Sequence, residues 1–173
     1  MEPLLVPPSQ FSMINEGLYT GAYPEYINYP FLDSLHLKCI VSMIPEKEPS
    51  EVVAFCKERG IMHIHIDTDE YDIDCIPSKE EKKRVISLLI DESRYPLYFY
   101  GSKNSQIANV YIMLLRYAQR YNSSYIFREF KKYGEKLDDD LKGIFDDLRI
   151  SVPAHLPEWL PEKSINPQVL LPE

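Results

Sequence analysis

Between residues 39 and 121, β-rich apolar runs and helical stretches alternate three times, and that order limits the fold more than any other feature of the chain. Cys39-Ile-Val-Ser-Met-Ile44, Met62-His-Ile-His-Ile-Asp67 and Leu97-Tyr-Phe-Tyr100 read as strands. Each leads into a helix rather than a tight hairpin turn, so neighbouring strands run parallel and are joined by crossovers. The helix signals are local. Ser50 caps a helix over Glu51 to Arg59 that Gly60 closes. Ser78 with Glu81 forms a capping box for a helix ending near Glu92, its apolar face carrying Val85, Leu88 and Leu89. A third helix spans Ile107 to Tyr121. Ahead of this region lie a short strand at Leu18 to Thr20 and a short helix from Tyr26 to Leu37. After it come helices alone, one from Ser123 to Gly134 and one from Leu137 to Arg149. The expected fold is α/β, with a central, mostly parallel sheet flanked by helices and a helical C-terminal layer.

A chain of 173 residues suits one core of real size. Residues 1–150 are expected to form that domain and residues 151–173 a Pro-rich tail, because Pro153, Pro157, Pro161, Pro167 and Pro172 rule out a continuing helix. The single tryptophan, Trp159, lies in Leu156-Pro-Glu-Trp-Leu160. Two readings of it stay open. The tail plugs its own domain, or Leu156, Trp159 and Leu160 form a docking arm for a partner.

A formal net charge of −8 excludes nucleic acid and anionic membrane as main partners, since both demand clustered Lys and Arg. The start, Met1-Glu-Pro-Leu-Leu-Val-Pro-Pro8, lacks the basic and apolar regions of a signal peptide, and no apolar run reaches the length of a membrane span. Cys39, Cys56 and Cys75 are odd in number and widely spaced, which indicates reduced thiols and a cytoplasmic setting.

No cofactor or metal is expected. His63 and His65 share one strand face without a third soft ligand nearby, the pattern of a structural pair rather than a zinc site. Asp67-Thr-Asp69 ends a strand as the nucleophile motif of haloacid-dehalogenase-type phosphatases does, but Tyr71 stands where those enzymes have Thr or Val. The same stretch fails as a calcium loop, with Asp72 at the glycine position and Ser78 at the closing glutamate. A solvated acidic loop remains. Tyr117, Tyr121, Tyr125, Phe127, Phe130 and Tyr133 read mostly as contact between helices.

The junction Pro96-Leu-Tyr-Phe-Tyr-Gly-Ser-Lys-Asn-Ser-Gln-Ile107 runs strand, polar loop, helix. Together with Pro7-Pro-Ser-Gln-Phe-Ser-Met-Ile-Asn-Glu-Gly-Leu-Tyr-Thr-Gly-Ala-Tyr-Pro24, Asn28-Tyr-Pro-Phe-Leu-Asp-Ser34, Ile44-Pro-Glu46, Ile76-Pro77, Leu89-Ile-Asp-Glu92 and Tyr95-Pro96, it resembles the plant-and-fungal atypical dual-specificity phosphatases over roughly residues 7 to 150. That resemblance implies a cysteine-phosphatase fold. It also implies chemistry by a thiolate that attacks phosphorus, an arginine that clamps the equatorial oxygens, and an aspartic acid that protonates the leaving group. The junction departs from the pattern: Gly101 stands at the cysteine position, Ile107 at the arginine position, Tyr100 at the preceding histidine and Thr20 at a further arginine. In relatives an aspartate follows Ile-Pro; here Ser78 does.

From these losses the chain is expected not to be an enzyme: a phosphatase-like protein acting as a protein-binding or regulatory subunit, in a hetero-oligomer with paralogues. The alternative is a non-hydrolysing sensor of a phosphate-rich ligand such as an inositol pyrophosphate. On that alternative the loop amides, Ser102, Lys103, Asn104, Ser105 and Gln106 would hold the anion. A loop refilled with polar side chains that holds only water is the other reading of the same residues.

Overall fold

The computed structural model describes residues 4–45, 47, 50–68, 76–102, 106–132, 141 and 143–170. Among the described residues ten α-helices and strands follow one another: β1 Ser12–Asn15, β2 Leu18–Thr20, α1 Tyr29–Ser34, β3 Cys39–Met43, α2 Ser50–Arg59, β4 Met62–Ile66, α3 Lys79–Leu89, β5 Leu97–Gly101, α4 Ile107–Ala118 and α5 Ser123–Lys132. The five strands form one mixed, mostly parallel sheet in the order β1-β2-β5-β3-β4, so the fold is α/β as expected. The strand β1, paired antiparallel with β2, escaped the reading of the sequence. The expected helix at residues 26–37 splits into a 3₁₀ turn over Tyr26–Asn28 and α1, with Pro30 in the first turn of α1, where its missing N–H costs nothing.

The chain divides into two compact units, residues 1–71 with 94–108, and residues 72–93 with 109–173. In the first, β5 lies between β2 and β3 with all five residues buried. Side chains alternate across the sheet, so Ile40, Tyr98 and Tyr100 share one face, and Leu32, Val52, Phe55 and Cys56 of α1 and α2 complete a core with them. Gly60, at φ +65, ends α2 as expected, and Ile61 N–H returns to Cys56 O at 2.9 Å. His63 and His65 of β4 both approach Ser42 of β3, whose Oγ lies 3.2 Å from His63 Nε2 and 3.3 Å from His65 Nδ1.

In the second unit α3 carries the expected capping box, Glu81 N–H donating to Ser78 Oγ and Ser78 N–H to Glu81 Oε2. The expected helix over Leu137 to Arg149 is corrected where it is described. Residues 143–148 form turns closed by i to i+3 bonds, among them Ile144 N–H to Leu141 O and Leu148 N–H to Phe145 O, both 3.2 Å. This segment provides the acceptors for Lys82, a buried lysine of α3 whose ammonium donates to Ile144 O at 2.9 Å and to the Asp147 carboxylate. Arg116 of α4 and Glu129 of α5 form a bidentate pair at 3.0 and 3.2 Å.

The sequence boundary at residue 150 is not where the structure divides. Residues 151–170 fold back within the second unit: Ile150 bridges Leu170, Asn166 N–H reaches Ala118 O at 2.8 Å, and Glu92 N–H reaches His155 O at 2.9 Å. Leu160, Ile165 and Val169 are buried. Periodic proline excludes a helix but not burial, because 3₁₀ turns at Glu162–Ser164 and Pro167–Val169 need few N–H donors.

Two outcomes follow for stability in urea. Lys82→Ala is expected to cost about 2–4 kcal/mol, since Ile144 O and Asp147 lose their buried donor, while Asp147→Asn costs under about 1 kcal/mol because that carboxylate is half-exposed. Equal midpoints for Lys82→Ala and the parent chain would remove the anchor. Leu160→Ala is expected to cost about 2–5 kcal/mol; an unchanged midpoint would mean the tail does not pack in solution.

Candidate active site

The site lies where β5 gives way to α4. In a parallel sheet the carboxyl ends of the strands share one edge, and β5, between β2 and β3, delivers its turn near the middle of that edge. The apolar run Leu97-Tyr-Phe-Tyr100 is long enough to bury, and Gly101 is the last residue paired, opposite Met43. Ser102 and Gln106 flank the turn, both half-buried; Lys103, Asn104 and Ser105 lie outside the described residues. α4 then begins at Ile107.

Around the strand, polar groups are tied down. Thr20 Oγ1 donates to Phe99 O at 2.9 Å. Tyr98 donates to Ala22 O at 2.6 Å, and burial pushes its phenol far above the ordinary tyrosine range, so it stays a neutral donor. Tyr100 is fully buried and packs edge-on against Tyr23, 5.6 Å between centroids. It therefore faces the core rather than a ligand.

Gly101 and Ile107 are interlocked. A Cβ placed on Gly101 would stand 2.7 Å from Ile107 Cγ2, with Met43 O at 3.6 Å and Ala108 N at 3.8 Å. The branched methyl of Ile107 thus occupies the space where any side chain at 101 would begin. Reading the sequence found both residues but not their contact, because nothing in a pattern of letters shows a side chain folding back across a turn.

The thiols are placed as follows. Cys39 opens β3 in register with Leu97, at the opposite strand end from Gly101, and is buried. Cys56 is buried in α2. Cys75 falls outside the described residues, as does residues 69–74 of the acidic loop; Asp67 is exposed. Among the described residues no cluster of His, Cys, Asp or Glu could hold a metal ion, and no helix is long and apolar enough to cross a membrane.

Of the residues expected to meet a partner, Leu160 is buried, while Leu156 and Trp159 are half-buried. A fully buried leucine cannot be the anchor of an arm; its place is inside its own unit.

Comparison with known proteins gives the chain its kin. Residues 5–154 match the tyrosine phosphatase family. A Saccharomyces cerevisiae protein named by inference as tyrosine-protein phosphatase OCA6 is 32% identical over 78% of this chain and 66% of its own length. Inositol diphosphatase DSP1 of Oryza sativa subsp. japonica is 27% identical over 90% of this chain and 71% of that one. The core catalytic domain of the PP-IP phosphatase SIW14 from S. cerevisiae, in complex with citrate, superimposes with a TM-score of 0.73 at 22% identity, covering 82% of this chain and 86% of that chain, a likeness of fold.

These findings overturn the expectation that the chain is not an enzyme. Relatives spanning most of it carry phosphatase names, and a cysteine, Cys39, does stand on a strand beside β5. The error lay in letting two positions of one turn decide the class of a protein whose likeness extends over 150 residues.

The interlock itself is testable. Gly101→Ala is expected to destabilise by about 1–3 kcal/mol through overpacking, and Ile107→Ala by about 2–4 kcal/mol through the cavity it leaves. The double variant should be more stable than the sum by at least about 0.5 kcal/mol, read from a urea double-mutant cycle. Strict additivity would show that the two side chains do not share the space.

Proposed function

This chain belongs to the tyrosine phosphatase family, and we propose that it serves there as a regulatory, protein-binding member that assembles with related phosphatase-like chains. On this reading its β5–α4 turn recognises a phosphate-rich ligand of the inositol diphosphate kind. The observation that carries the proposal is the interlock at that turn. Ile107 spends its side chain holding Gly101, so recognition falls to the amides entering α4 and to neutral donors such as Ser102 and Gln106. Amides and hydroxyls suit holding an anion. Lys103 adds the positive charge nearest in sequence.

The ligand class is taken from a rice relative named an inositol diphosphatase. A regulatory role sits beside phosphatase chemistry rather than against it. Assembly with protein partners is favoured by the net charge of −8, which suits neither nucleic acid nor anionic membrane.

The test uses the full chain with a related phosphatase from the same cell. The two are expected to co-elute on a sizing column, and phosphate release from an inositol diphosphate is expected to change several-fold when the chain is added. Separate elution with an unchanged rate would end the regulatory half. Inositol polyphosphate at millimolar concentration should raise the melting temperature by mass action, and Lys103→Glu should remove the rise. No rise in the parent chain would end the ligand half.

A further inference from the structure

We propose that the groove between α1 and α2 is a docking site for a basic, arginine-bearing segment of a partner protein. It opens within the first unit, has a volume of about 460 Å³, and is walled by Tyr26, Tyr29 and Phe55 on its aromatic side and by Asp33, Glu51 and Glu58 on its acidic side. That volume lies in the range of sites that enclose a ligand group. Together the aromatic and acidic sides match one chemistry.

The groove shows in miniature how it would hold such a partner. Arg59, the only cation among its described lining residues, places its guanidinium 4.5 Å above the Phe55 ring while its Nε donates to Asp33 at 2.8 Å and its NH1 approaches Glu58 at 3.3 Å. Ring below and carboxylate beside is the arrangement that best stabilises a planar cation, through the ring quadrupole and paired hydrogen bonds. The aromatic surface continues beyond it. Tyr29 stacks on Phe55 at 4.5 Å, and Tyr26 meets Tyr29 edge-on at 5.8 Å. Tyr26 is 84% exposed, and its neighbour Ile27 is 56% exposed. Glu51, exposed at the start of α2, supplies the next carboxylate.

Charge sets the occupant. The lining carries three carboxylates and one guanidinium, of which Asp33 and Glu58 contact Arg59, so the groove keeps a net negative charge after its internal pairs are formed. A second cation entering over Tyr26 would reduce that charge, and arginine fits better than lysine because its flat guanidinium can both stack and form a fork of hydrogen bonds. An acidic or purely apolar segment would leave the excess negative charge of the groove uncompensated. The inference deepens the protein-binding reading and rests on it, naming the kind of segment that reading lacks.

The experiment measures anisotropy of a fluorescently labelled arginine–glycine repeat peptide on the full chain, with a glutamate–glycine repeat as control. The arginine peptide is expected to bind and the glutamate peptide not to. Tyr26→Ala, which changes no charge, should weaken binding roughly three- to thirtyfold, the range expected of one cation–aromatic contact. Glu51→Gln should weaken it several-fold, whereas Glu158→Gln, an exposed residue of the second unit, removes the same charge and should change it less than about twofold. Equal affinity for Tyr26→Ala and the parent chain, or equal losses in Glu51→Gln and Glu158→Gln, would overturn the groove and leave only attraction to bulk charge. Co-elution with a related phosphatase separates the two proposals. If Tyr26→Ala loses the peptide but the chain never co-elutes with a relative, the groove stands and the assembly falls. If co-elution survives while no peptide binds, the assembly stands and this groove falls.

Discussion

The pairing of β5 with parallel neighbours on both sides governs the first unit. Leu97, Tyr98 and Phe99 align with Leu18, Tyr19 and Thr20 on one side and with Cys39, Ile40 and Val41 on the other. A strand held this way has every backbone group bonded and both faces covered, so its residues must be apolar or carry hydroxyls with a definite acceptor. That is why the polar groups here all have fixed jobs. Thr20 bonds Phe99 O and Tyr98 bonds Ala22 O. It also fixes where the turn emerges, since the end of β5 is set by the register with Met43 rather than by the loop that follows.

Three buried polar groups each meet two acceptors or two ring nitrogens. Ser42 Oγ lies within hydrogen-bond reach of two imidazoles, His63 Nε2 at 3.2 Å and His65 Nδ1 at 3.3 Å. Lys82 distributes its ammonium between a backbone carbonyl and a carboxylate, and Arg116 grips Glu129 through two nitrogens. Such groups contribute modestly to net stability, but removing one partner leaves the other stranded away from water. They favour this arrangement over its competitors more than they strengthen it.

What the sequence made legible was whatever depended on nearby residues. The three parallel strands showed because Cys39 to Met43, Met62 to Ile66 and Leu97 to Gly101 are apolar or β-branched runs bounded by Pro and Gly signals. The cap at Ser78 and the stop at Gly60 showed for the same reason. β1 did not, since Ser12-Met-Ile-Asn15 is short, buries only Ile14, and takes its order from pairing with β2. The segment around Gly143 has helix-like charge spacing, yet its described residues settle into turns that supply acceptors for Lys82, a demand made by another helix. At the site, Gly101 and Ile107 were readable as letters, but their contact was not. The aromatic and acidic groove was invisible because Tyr26 comes from the 3₁₀ turn, Tyr29 from α1, and Phe55 and Arg59 from α2. Class, too, lay beyond the turn: the family is legible over the whole domain, and only there.

The interlock at the β5–α4 turn has a historical side. With Ile107 Cγ2 filling the space above Gly101, no larger residue can enter position 101 in a single step without strain. In the other order position 107 first gives up its branched methyl, and that step on its own opens a void. Both routes across the turn therefore pass through a weaker protein. The two residues behave as one inherited character, and a lineage that acquires the pair holds it as a ratchet holds its tooth.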